Sequence, residues 1–262
     1  MIDAIRVENV SKRFRYPTIP RHATLKDMAL RTMRFNRDDA VVEALKNVSF
    51  SAERGSTLGI IGRNGSGKST LMRILAGIIK PDSGVVETAG TIAPLLALGT
   101  GFHPDLSGRE GARIELFTLG MERKQAEAMM DRIAEFSEIG DFMDAPVRTY
   151  SVGMLMRLAF SVAVCVNPGI LLLDEILAVG DEAFARKCHQ TILEFRDRGK
   201  TIVIVTHAAE IIEHWCDTCL WLDNGEVAGL GDSRTVVAAY HALTAKSSTE
   251  SAKYTLDLPE PA

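Results

Sequence analysis

The residues with the plainest chemistry form the run Gly62-Arg63-Asn64-Gly65-Ser66-Gly67-Lys68-Ser69-Thr70. It fits the pattern G-x-x-x-x-G-K-[ST], in which glycines let the backbone wrap an anion with its N–H groups turned inward. An apolar run over residues 56–61 precedes it and helical spacing over 68–76 follows. The loop therefore opens a helix, whose first N–H groups add partial positive charge. Lys68 is placed to reach the β- and γ-phosphates of a nucleoside triphosphate, and the Ser69 hydroxyl to bind Mg²⁺. A second constellation is Ile170-Leu171-Leu172-Leu173-Asp174-Glu175. Here an apolar strand delivers two carboxylates at its C-terminal end, the edge of an open α/β sheet at which ligands bind. Asp174 is expected to hold Mg²⁺, directly or through water, and Glu175 to polarise an attacking water. Alone, the first run could be a glycine-rich turn and the second a strand with a solvated acidic end. Together, in this order, they point to nucleotide hydrolysis.

Periodicity gives the elements that must carry these residues. A loosely alternating strand is expected over 4–10, then a basic, irregular region over 12–36 containing Pro17, Pro20 and a short helix over 25–33. Strand character resumes over 47–52, and two more strands flank Ala89-Gly90, over 85–88 and 91–98. Between 108 and 167 the spacing is helical, most clearly over 124–136 and 154–166. A helix over 183–198 places Phe184, Cys188, Thr191, Ile192 and Phe195 on one face. An apolar strand over 201–205 follows, then a hairpin turning at Asn224-Gly225, a pair suited to a primed turn, and a last helix over 233–244. The order implies an α/β P-loop NTPase: a mostly parallel core sheet, an antiparallel β subdomain and an inserted α-helical subdomain over about 106–167. The main domain is expected over 1–244, with an insertion over about 17–43. Residues 245–262 are polar, end in Pro-Glu-Pro-Ala and are expected to be a disordered tail.

Composition narrows the partners. In 262 residues, hydrophobic types make up 46% and charged types 24%, enough for a full core. The net charge of −4 gives no electrostatic footprint for nucleic acid. No apolar run reaches the ~18 residues a membrane span needs, and Met1-Ile2-Asp3-Ala4 opens no secretory leader. A cytoplasmic chain is expected, with membrane contact through a partner. Cys165, Cys188, Cys216 and Cys219 read as structural thiols. Cys216 and Cys219 have C-x-x-C spacing near His214, but the second pair that a zinc site wants is not in the sequence.

Three further features resemble those of ABC ATPases. Tyr150-Ser151-Val152-Gly153-Met154 opens a helix after the helical insertion and is similar to that family's signature motif, usually LSGGQ. Leu177-Ala178-Val179-Gly180-Asp181 resembles the D-loop, and His207 matches the switch histidine. The resemblance covers essentially residues 1–240. It implies ATP and Mg²⁺ as cofactors and a head-to-tail homodimer. In that dimer the helix start at Ser151, Val152 and Gly153, itself an anion site, meets the γ-phosphate held by the other copy. Phe14 aligns with the aromatic that stacks on adenine, with Tyr16 as its rival.

The run Leu96-Ala97-Leu98-Gly99-Thr100-Gly101-Phe102-His103-Pro104-Asp105-Leu106-Ser107-Gly108-Arg109-Glu110 resembles one branch, the exporters of lipid-linked polysaccharide: O-antigen, teichoic acid or capsular glycan. The altered signature and Ala178-Val179-Gly180-Asp181 agree with it, as does the basic stretch over 21–37, where this branch carries a helix thought to guard a glycan gate. The branch implies a separate, dimeric, polytopic membrane permease, a lipid-linked glycan substrate and a peripheral position on the cytoplasmic face of the inner membrane. Two departures matter. Where the family places a glutamine that contacts Mg²⁺ and water, this chain has Ala97 or Leu98, so coupling must run through backbone or neighbours such as His103. About twenty residues follow Leu243, too few for the C-terminal glycan-binding sandwich some members carry.

Other readings have less support. The ATPase of another ABC exporter, of drugs or lipids, is the alternative reading. Soluble ABC ATPases usually carry two motor domains or long coiled coils, and neither is present. A GTPase would need an N-K-x-D run, and a kinase an acceptor site and lid.

Overall fold

Strand β1 (Asp3–Tyr16) alternates inward Ile5 and Val7 with outward Arg6 and Glu8. It pairs antiparallel with β2 (Ala40–Glu53) on one side and β4 (Ser83–Thr88) on the other. In this computed structural model, residues 3–16, 40–96, 99–174, 181–206 and 208–253 are described. β1 runs past the expected end near Val10 because Arg13–Tyr16 pair with Ala40–Glu43, closed by an Arg13–Glu43 ion pair at 2.7 Å. Arg13–Tyr16 carries two arginines, Ala40–Val42 is too short an apolar run to register, and the two lie far apart in sequence, so periodicity could not find this ladder. The insertion expected over 17–43 is thereby shortened: Ala40–Glu43 belong to β2, and the rest, 17–39, lies outside the described residues.

The second sheet among the described residues has the order β5-β6-β7-β3-β8-β9, with β3 (Thr57–Ile61), β5 (Ile92–Leu95), β6 (Ile170–Asp174), β7 (Thr201–Val205), β8 (Thr218–Asp223) and β9 (Glu226–Asp232). All pairs are parallel except β8–β9. The central strands β3 and β7 are buried throughout, which is why they read as continuous apolar runs. Side chains still alternate between faces. Leu58, Ile60, Leu172, Val203 and Val205 join helix α1 (Lys68–Leu75) and the antiparallel sheet in one core. Ile61, Leu171, Leu173, Ile202 and Ile204 pack on the other face. The hairpin turns as expected, with Asn224 and Gly225 at φ 49° and 83°, the two positive values a type I′ turn requires.

Helices α2 (Gly108–Thr118), α3 (Arg123–Ser137) and α4 (Val152–Cys165) build the helical block around a core of their own. α2 starts at a capping box: Ser107 Oγ accepts from Glu110 N, and Glu110 accepts from Ser107 N at 2.8 Å. α4 joins block to sheet. Leu158, Ala159 and Val162 face the block, while Phe160, Ala163 and Val164 face the second core. A helix buried on both sides is apolar all round, and α4 has that composition.

Helix α5 (Glu182–Asp197) buries Phe184, Cys188, Ile192 and Phe195, with Thr191 half-buried. α6 (Ala209–Trp215) spans seven residues, shorter than a periodicity window can register. The last helix, α7 (Ser233–Lys253), corrects the expectation of a tail from 245. No glycine or proline stands between Thr244 and Lys253, and the serines and threonines there cost a helix only tenths of a kcal/mol each, roughly. Residues 254–262 lie outside the described residues. Among the described residues no helix is long and apolar enough to cross a membrane. The four cysteines are buried and free, and burial pushes the Cys188 and Cys219 thiols up to about 12.

Candidate functional site

The loop after β3 is gripped from two sides. A Cβ on Gly62 would lie 2.2 Å from the Leu222 carbonyl of β8, and one on Gly67, at φ 105°, would lie 2.5 Å from the Ala44 carbonyl of β2. The hairpin tip completes the grip: Gly225 N donates to Ser66 O at 3.1 Å, and Lys46 N donates to Gly225 O at 2.8 Å. Lys68, the first residue of α1, is 7% exposed. Its Nζ donates to the carbonyls of Gly62 at 2.7 Å and Arg63 at 3.1 Å, so loop dipoles hold a buried cation at the helix start.

A cleft of about 700 Å³ opens over this loop. Asn64, Gly65, Ser66, Gly67, Lys68, Ser69 and Thr70 line it, together with Asp174 from the end of β6. Sheet order explains the meeting, because Asp174 pairs with Val205 of β7, and β7 pairs with β3. Arg63 is exposed and lines a different hollow, with Trp221 and Tyr240. Val42, Glu43, Ala44 and Val205 also line the cleft, and sequence reasoning did not single them out. No signal marks the first three, since their place depends on the β1–β2 register. Phe14 is the partner of Val42 in that ladder, so the two side chains share a face. Phe14 is half-buried, with Lys12 Nζ 5.7 Å from its ring centre, whereas Tyr16 is 54% exposed. His103 is exposed and absent from the cleft lining. Glu175, residues 177–180, His207, Ala97 and Leu98 lie outside the described residues.

A second hollow, about 430 Å³, lies at the start of α4. Ser151 is the N-cap, its Oγ accepting from Met154 N at 3.1 Å. Val152, Gly153, Met154 and Arg157 line the hollow with it, and so does Asp181. Asp181 caps α5 by accepting from Phe184 N at 2.9 Å. That bond, helped by the Arg157 guanidinium, holds its carboxyl below the usual carboxylate range. The two hollows share no lining residue.

Two unusual motifs prove to be one packed unit. Tyr150, where the signature normally has leucine, donates its hydroxyl to Phe142 O, and a Cβ on Gly108 would lie 2.0 Å from that hydroxyl oxygen. Ser107 forms an isolated bridge with Pro146 nearby. The Ser107-Gly108-Arg109-Glu110 run and the Tyr150 start of the signature therefore fit each other.

A third hollow, about 260 Å³, lies between sheet and helical block and is mostly apolar, lined by Pro94, Leu96, Phe102, Ala159 and Val162. Glu115 also lines it, and burial raises its carboxyl above the usual range. Ile78, a further lining residue, is 60% exposed, and Phe117 of α2 is exposed as well.

The family model described as "ABC transporter" matches residues 45–178. The chain is 47% identical over 258 residues to "O-antigen export system ATP-binding protein RfbB" of Myxococcus xanthus, covering 97% of this chain and 59% of that protein. It is 45% identical over 201 residues to "Teichoic acids export ATP-binding protein TagH" of Levilactobacillus brevis, covering 77% of this chain and 55% of that protein. The chain thus spans somewhat more than half the length of these relatives. Among solved structures, the dimeric post-hydrolysis ATP-binding cassette MJ0796 bound to ADP and Pi superposes with a TM-score of 0.67 at 22% identity, over 87% of this chain and 98% of that one. At that identity the likeness establishes the fold.

Proposed function

This chain belongs to the ABC transporter family, and on that premise we propose that it is the ATP-binding and hydrolysing subunit of an exporter of lipid-linked polysaccharide. The glycan is of the O-antigen, teichoic acid or capsular class. The supporting observation is the separation of two anion-suited sites within one chain: a lysine-bearing cradle and a serine-capped helix start with no shared lining residue. Each site is half of a whole. Two copies set head to tail complete both, with the terminal phosphate held between the cradle of one and Ser151 of the other.

In the cradle, Asn64 through Thr70 wrap the phosphates and Lys68 supplies the fixed positive charge. Ser69 and Asp174 offer a hydroxyl and a carboxylate to the same cleft, the hard oxygen donors that suit Mg²⁺ beside a nucleotide. The ion, when bound, neutralises charge on the transferring phosphate. Glu175 orients and polarises the attacking water, and His207 contacts the reacting phosphate. Phe14 and Val42 present the face on which the base rests. Hydrolysis removes the shared phosphate and releases the interface.

The chain works from the cytoplasmic face of the membrane, bound to a polytopic permease. The apolar hollow bordered by exposed Ile78 suits a cytoplasmic segment of that permease, and Glu115 within it favours a basic or hydrogen-bonding residue there. The deciding experiment is trapping. The Glu175→Gln variant is expected to bind ATP, to lose nearly all hydrolysis and to accumulate as an ATP-bound pair by analytical ultracentrifugation. Normal turnover in that variant removes Glu175 from its role.

A further inference from the structure

The hollow at Ser151 contains a carboxylate that its assigned task does not explain. Asp181 and Ser151 line the same space, and a carboxylate beside a site that takes a phosphate repels the ligand. Capping α5 accounts for one oxygen, Oδ1. A serine would cap that helix about as well without the charge. The other oxygen, Oδ2, accepts from Arg157 Nη2 at 2.5 Å.

Arg157 is placed with care. Its side chain is 17% exposed, and its guanidinium carbon lies 4.8 Å from the centre of the Phe184 ring, on the first turn of α5. Nη1 lies 3.4 Å from Glu138 Oε2. Glu138 ends α3 in the left-handed conformation, φ 55°, and its Oε1 takes Lys187 Nζ of α5 at 2.6 Å. Lys187 in turn donates to Phe136 O at 2.9 Å and sits 4.4 Å over the Phe136 ring. The series Asp181–Arg157–Glu138–Lys187 thus alternates in sign and ties the start of α5, the body of α4 and the end of α3 to one another. Arg157 is largely covered, but Asp181 and Glu138 are exposed, so these ties remain open to screening by salt.

We propose that Arg157 is a positioning residue for ATP-driven pairing: it fixes the Ser151 helix start against the Asp181 cap and cancels the Asp181 charge, so that the hollow accepts a phosphate held by a second copy. The proposal rests on the assignment of that hollow to the partner's phosphate. It extends it by naming what makes the hollow electrically able to receive one. Arg157 itself need not touch the nucleotide, since Nη1 is engaged with Glu138 and Nη2 with Asp181.

The test uses the full chain carrying Glu175→Gln, with pairing followed by ultracentrifugation as ATP is added and nucleotide affinity of the single copy measured separately. Arg157→Gln leaves the carboxylate bare. It is expected to raise the ATP needed for half-maximal pairing by roughly tenfold, while single-copy affinity stays within about twofold. Salt is expected to narrow that deficit, because screening weakens the repulsion. Adding Asp181→Ser, which keeps a cap and removes the charge, is expected to recover most of the lost pairing, and Arg157→Lys to recover part of it. Unchanged pairing in Arg157→Gln overturns the proposal. So does a double variant no better than the single one, or a deficit insensitive to salt, since either makes Arg157 a packing residue only. Ser151→Arg in the same assay separates the two levels. If it pairs normally, the hollow does not receive the phosphate and both readings fall. If it abolishes pairing while Arg157→Gln does not, only the role of Arg157 falls. Should Arg157→Gln lose its cooperative melting transition, Arg157→Lys carries the same salt comparison.

Discussion

Gly67 and Glu115 show how much a single position decides. Gly67 holds φ 105° with the Ala44 carbonyl 2.5 Å from where a Cβ would stand, and β2, which carries that carbonyl, cannot yield without disturbing its ladder with β1. Gly67→Ala is therefore expected to distort the cradle, lowering stability by roughly 1–3 kcal/mol and weakening ATP binding at least as much. Melting and nucleotide titration together check this. Glu115 is the opposite case, a carboxylate partly removed from water among apolar neighbours. Its folded pKa is raised, so between the unfolded and folded values the unfolded chain binds fewer protons, and stability falls as pH rises through that window. Glu115→Gln is expected to raise the melting temperature at pH 7, with the gain shrinking as pH falls toward about 4.3. A residue that costs stability at working pH is a candidate for recognition, which agrees with its place in the proposed permease hollow.

At the scale of elements, α2 and α4 deserve comparison. α2 begins at a complete capping box and shares its first residues with the space that Tyr150 fills. Ser107→Ala removes the acceptor for Glu110 N and is expected to cost about 1 kcal/mol in denaturant unfolding. The bridge between Ser107 and Pro146 is made by backbone groups, so the same change leaves the link to the signature in place. α4 carries the signature at its start and inserts between two cores, so a displacement of the helical block reaches Ser151 through a rigid rod. The antiparallel sheet plays the matching part for the cradle, with β2 pressing on Gly67 and contributing Val42 and Glu43 to the cleft.

At the scale of the molecule, the two half-sites predict complementation. A copy with Lys68→Ala and a copy with Ser151→Arg each form no intact site when alone. Mixed head to tail, they share one whole site, made from the intact cradle of the second and the intact Ser151 of the first. ATP-dependent pairing in the mixture, and in neither variant alone, is the expected outcome by sedimentation. A mixture that stays unpaired contradicts the composite-site geometry.

The chain's residues alone marked the local features that depend on neighbours in sequence: the loop over 62–70, the acidic end of β6, the helix start at Ser151 and the primed turn at Asn224-Gly225. Such features are short and local, and their residue types have few other uses at that spacing. The parallel sheet was legible for a related reason, since strands buried on both faces must be apolar throughout. Tertiary structure decided what depends on distant pairing. It put Val42 and Glu43 in the cleft, carried β1 to Tyr16, drew Gly108 against Tyr150 and joined Arg157 to Asp181 and Glu138. In each case the partners lie tens of residues apart and carry no periodic mark. Only the closing of sheet and helical block brings their charges and surfaces within reach.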